Sequence, residues 1–66
     1  MKNEIQIILD FARDTLGADI YGTTIDFQQG CLVEVSISNG SVKLDGGITG
    51  EVEYYATSEE AIEALS

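Results

Sequence analysis

Apolar residues recur along the first sixteen positions with the period of a helix. At about 100° per residue, Ile5, Ile8, Leu9, Ala12 and Leu16 share one face, the face to be buried. Asn3 stands where an N-cap belongs, Gln6 where a capping box places Glu or Gln, and Gly17 where a left-handed residue ends a helix. Residues 3–16 are therefore expected to be helical. Ile7 and Phe11 fall nearly opposite the core face, flanked by Glu4 and Asp14. They either pack under a loop or a second helix, or form an apolar patch for a partner or a second copy of the chain.

The period then changes to two. Ile25 and Phe27 alternate with Thr24, Asp26 and Gln28, which predicts a strand over 20–28. Residues 33–38 and 41–45 read as the arms of a hairpin around Asn39-Gly40. A further strand is expected over 50–55, with Val52 and Tyr54 on one side and Glu51, Glu53 and Tyr55 on the other. In "TSEEAIEALS", Thr57 and Glu60 form a capping box for a short closing helix, and Ala61, Ile62 and Leu65 face the core. The pattern implies one compact α+β domain over 1–66. Its antiparallel meander has three to four strands, in the order α-β-β-β-(β)-α, with both helices on one face.

Turn chemistry sets the expected register. A two-residue Asn-Gly loop pairs Ser38 with Ser41, Ile37 with Val42, Ser36 with Lys43, Val35 with Leu44 and Glu34 with Asp45, and the apolar pairs then share a face. A longer loop around Gly30 pairs Phe27 with Val33, Ile25 with Val35 and Asp26 with Glu34. A three-residue loop over 46–48 pairs Val42 with Val52 and Lys43 with Glu51. The outer face would then carry a row of three acids, Asp26, Glu34 and Asp45, on strands about 4.8 Å apart.

Charge changes what such a row means. Twelve acidic residues face three basic ones, Lys2, Arg13 and Lys43, giving a formal net charge of −9 on only 66 residues. This argues against direct binding to nucleic acid or an anionic membrane, since phosphate contacts need Lys and Arg. It also favours a monomer over a homodimer and, if the acid does more than keep the chain in solution, a basic partner. A lone cysteine, Cys31, fits a reducing, cytoplasmic setting. No basic stretch precedes an apolar run at the N-terminus, so no signal peptide is expected, and no apolar run approaches the length of a membrane span.

Catalytic chemistry finds no support. There is no histidine, Cys31 has no cationic neighbour to hold a thiolate, and "LDGGITG" lacks the lysine and helix start of a phosphate loop. Carboxylates on an open sheet face diverge rather than converge on a cation, so no metal and no cofactor is expected. The chain reads as a non-enzyme. Its helix–sheet order also invites comparison with double-stranded-RNA-binding domains, but the helix that would grip phosphate carries Glu59, Glu60 and Glu63.

Reversed charge suits a chain that occupies a groove built for nucleic acid. The candidate surface comprises Asp26, Glu34, Asp45, Glu51, Glu53, Glu59, Glu60 and Glu63, with Tyr21 and Tyr55 as exposed aromatic anchors and Ile7 and Phe11 as a possible apolar interface. In size, acidity and its two helices with an antiparallel sheet, the chain resembles the small phage-encoded anti-CRISPR proteins, some of which act as DNA mimics. That resemblance implies a cytosolic inhibitor of a CRISPR-associated complex, with a lean to type I systems. It carries no motif and assigns no residue a role. Two other readings compete: an antitoxin or immunity protein against a basic nuclease, and a structural subunit whose acid serves solubility.

Self-repulsion of this charge predicts a higher melting temperature near about pH 5 than near about pH 8 at low ionic strength, with added salt narrowing the difference. A flat or opposite trend would mean that the carboxylates are spread apart or well paired.

Overall fold

In the computed structural model, residues 3–27, 31–46 and 52–66 are described. Asn3 caps the first helix, α1 (Glu4–Asp14), its side-chain oxygen accepting the Gln6 N–H at 2.7 Å. The reciprocal half of a capping box does not form, because the Gln6 amide donates to Asp10 instead, at 2.9 Å. Gly17, at φ +69°, reverses the chain and lets the Ala18 N–H return to the Ala12 carbonyl at 3.0 Å.

Five strands follow: β1 (Asp19–Tyr21), β2 (Thr24–Asp26), β3 (Leu32–Ser38), β4 (Ser41–Asp45) and β5 (Glu53–Tyr55), then α2 (Ser58–Leu65). They form one antiparallel meander in sequential order, β1-β2-β3-β4-β5. The α+β meander expected from the pattern is present, with five strands because the segment expected as one strand over 20–28 folds back on itself. Gly22, at φ +64°, opens a two-residue loop that pairs Tyr21 with Thr24 and Ile20 with Ile25.

The hairpin of β3 and β4 has the expected register throughout, from Ser38 opposite Ser41 to Glu34 opposite Asp45. Asn39 and Gly40 both take positive φ, 50° and 79°, as a type I′ loop demands. The other two registers differ from expectation. Ile25 lies opposite Val33 rather than Val35, and the Phe27 N–H donates to the Cys31 carbonyl at 3.0 Å. A shift of two residues keeps every side chain on its face, so burial alone could not decide between the registers. The second difference is of odd parity and turns β5 over: Val42 faces Tyr55, Lys43 faces Tyr54 and Leu44 faces Glu53. The expected pair of Val42 with Val52 is thereby replaced, and so is Lys43's expected place in the register; Glu51 and most of the loop expected over 46–48 fall outside the described residues.

Both helices cover one face of the sheet. Ile8, Leu9 and Ala12 of α1 and Ala61 of α2 meet Ile25, Val33, Val35, Val42 and Leu44, all buried. Full burial of an aliphatic side chain contributes about 1.5–3 kcal/mol. Tyr55, Ile62 and Leu65 pack around this cluster, whereas Ile37 at the hairpin tip is on the same face but largely uncovered.

The helices are joined at their N-termini. Thr57 caps α2 by accepting the Glu60 N–H at 3.2 Å, and the buried Ser58 donates its backbone N–H to the Glu4 carboxylate of α1 at 2.7 Å. Hydrogen bonds from the Ser58 side chain and backbone hold the Glu4 carboxyl below its ordinary value of 4.5. A depressed carboxyl stabilises the fold above its unfolded value and loses that contribution as pH falls through the folded one. Glu4→Gln is therefore expected to lower the melting temperature at neutral pH, and to bring the two proteins closer together as pH is taken below about 4. Parallel curves across that range would contradict the tether.

Candidate functional site

The alternation that buries Ile25, Val33, Val35, Val42 and Leu44 turns their neighbours to the opposite face, which neither α1 nor α2 covers. Three rows cross that face. Asp19, Asp26 and Leu32 make the first. Tyr21, Thr24, Glu34 and Asp45 make the second. Ser36, Lys43 and Tyr54 make the third.

The expected row of Asp26, Glu34 and Asp45 is thus split. Glu34 and Asp45 remain directly opposed, while Glu34 meets Thr24 on its other side and Asp26 stands in the next row. There Asp26 meets a second carboxylate, Asp19, which the sequence reading did not single out. Two like-charged pairs therefore sit on adjacent rows, each opposition costing up to about 1 kcal/mol. Asp26 is half-buried, and its Oδ1 has no hydrogen-bond partner. Asp19, Glu34 and Asp45 are exposed.

Little positive charge answers them. Arg13 is held on α1 by Asp10 at 3.2 Å and Asp14 at 3.0 Å. Lys43 lies on the acidic face, but among the described residues no ion pair joins it to Glu34 or Asp45. Nor do any three His, Cys, Asp or Glu side chains among the described residues come together to hold a metal ion.

Aromatic side chains flank the acids. Tyr21, expected to be exposed, is 63% exposed on the outer face, and Tyr54 is 59% exposed. Tyr55, expected outside, is turned inward by the register of β5 and packs half-buried against the core. Its hydroxyl donates to the Glu53 carboxylate, and that bond, more than burial, raises the Tyr55 phenol above its ordinary range. Glu53 accordingly belongs to the helix-bearing face at the sheet edge rather than to the outer rows. Leu32 is also exposed on the outer face, beside Asp26.

Glu59, Glu60 and Glu63 are exposed on α2, across the sheet from the outer rows. The eight acids expected as one surface therefore divide: Asp26, Glu34 and Asp45 on the bare sheet face, and Glu53, Glu59, Glu60 and Glu63 on the helical side. Glu51 lies outside the described residues. Ile7 and Phe11 are half-buried on α1 and are not part of the packed core. Tyr54 faces out and Tyr55 in, the reverse of the pattern-based expectation, because adjacent tyrosines give no alternation to read. No helix among the described residues is long and apolar enough to cross a membrane.

No protein-family model, no curated protein and no solved structure matches this chain.

The inversion of β5 has a direct consequence. Tyr54→Ala is expected to change stability by no more than about 0.5 kcal/mol, and Tyr55→Ala to cost about 1–3 kcal/mol, as read from urea midpoints. The reverse order would place Tyr54 inside.

Proposed function

We propose that this chain is a non-enzymatic, acidic protein-binding inhibitor that occupies a basic nucleic-acid-binding groove in a host defence complex. It acts as a DNA mimic in the manner of the anti-CRISPR proteins it resembles in outline. The observation that carries this reading is the opposition of Glu34 and Asp45 on a sheet face that no helix covers, without an ion-paired cation among the described residues. Such a pair raises the free energy of the isolated chain, and a cationic partner relieves it. A net charge of −9 steers the chain to positive surfaces and keeps copies of it apart, so the active form is a monomer. The groove lies in the host bacterial cytosol, where nucleic-acid-guided defence operates and a single free thiol stays reduced.

The α2 acids lie on the far side and add to the long-range field rather than to the contact.

The chain immobilised as bait in bacterial lysate at about 100 mM salt is expected to retain a nucleic-acid-binding protein that added duplex DNA releases. The Glu34→Lys/Asp45→Lys double variant is expected to lose it. A retained protein that DNA does not displace, or equal retention by both baits, would contradict mimicry centred on the sheet.

A further inference from the structure

The outer face of the sheet is more than negative. Tyr21 and Glu34 stand in one row with Thr24 between them, and Tyr54 lies beside Lys43 in the next row, diagonal to Asp45. Strands are about 4.8 Å apart, and diagonal neighbours at about 7–8 Å are within reach of long side chains. The two opposed carboxylates are thus bracketed by two phenol rings that are more than half exposed, 63% for Tyr21 and 59% for Tyr54. Leu32 extends the face with an exposed apolar side chain.

We infer that this face docks a protein segment through its arginine side chains, in preference to lysine. The inference rests on the reading that the chain engages a basic groove, and names the groups in that groove that it takes. A guanidinium is planar and weakly hydrated, stacks on aromatic faces, and carries five donors arranged to fork carboxylate oxygens. Glu34 and Asp45 supply the oxygens, and Tyr21 and Tyr54 supply the rings. An ammonium is a strongly hydrated point charge that gains from the acids but less from the rings.

The alternatives fit the face less well. A second copy of the chain would bring its own Glu34 and Asp45 against the same pair. A divalent cation needs converging ligands, and the described residues contain no such group.

The test titrates the whole chain with two synthetic peptides of equal length and charge, one built on arginines spaced by glycine and serine, the other on lysines. Binding is followed by backbone and tyrosine-ring NMR shifts at about 100 mM salt. The arginine peptide is expected to bind about three- to tenfold more tightly and to shift Glu34, Asp45, Tyr21 and Tyr54. Tyr54→Ala is expected to remove most of that preference while leaving the lysine peptide within about twofold, and Tyr54→Phe to retain it. Equal affinity for both peptides at this face would overturn the arginine inference and leave the acidic reading standing. Shifts confined to Glu59, Glu60 and Glu63 would also overturn it, moving the contact to α2. Binding of neither peptide would sink this inference and the basic-groove reading together.

Discussion

The Asn39-Gly40 reversal is the constraint on which the rest of the molecule depends. A two-residue loop with both residues at positive φ leaves only one way to zip β3 against β4. That register places Val35 opposite Leu44 and Ile37 opposite Val42 on the face the helices cover. By the same step it places Glu34 opposite Asp45 on the face they do not. Burial and charge opposition thus follow from one turn: a slip of one residue would part the acids and take the central valines and leucine out of the core, and the two-residue loop leaves no room for a slip of two.

The other elements add to this hairpin without altering it. β1 and β2 attach on one side and β5 on the other, each only three residues long, which keeps both sheet edges short. The two helices lie across the buried face and share one junction, where Glu4 of α1 serves the N-terminus of α2 as a second cap behind Thr57. An anion there also meets the positive end of the α2 dipole. Glu4 is therefore used structurally, Glu53 accepts from the Tyr55 hydroxyl, and Asp10 and Asp14 are bound to Arg13. The acids of the outer sheet face have no such role among the described residues.

The sequence revealed most where the local chemistry admits one solution. Asn3, Thr57 and the Asn39-Gly40 loop each specify a backbone geometry, and the helix starts and the β3–β4 register followed from them; α1 ends at Asp14, two residues before the expected end, and Gly17 serves the reversal beyond it. The other registers were harder to read, for two different reasons. Between β2 and β3, two pairings of equal parity bury the same residues, and only the loop around Gly30 separates them. Before β5, the glycine-rich connection allows either parity, and the Tyr54-Tyr55 pair looks the same from both sides. The missed β1–β2 turn did have a signal: Gly22 followed by Thr23 between two isoleucines is a Gly-X hairpin loop. At the candidate site, Glu34, Asp45 and Tyr21 were legible, because they depend on alternation and the Asn-Gly turn. Asp19 and Tyr54 were not, because they depend on the two strands whose placement the pattern left open.

On the proposed reading, the outer sheet face is where stability and recognition oppose one another. A fold of this size has little stability to spare, and still it sets carboxylates against each other with tyrosines beside them. The most direct measurement of that opposition is a double-mutant cycle on the isolated chain at low salt, with Glu34→Gln, Asp45→Asn and both together, read by urea unfolding. If the face is held in repulsion until a partner supplies the cations, each single substitution stabilises the chain, and the coupling between the two acids is unfavourable by about 0.2–1 kcal/mol. Single substitutions that destabilise, or a favourable coupling, would show that the pair is already satisfied within the chain and contradict the account.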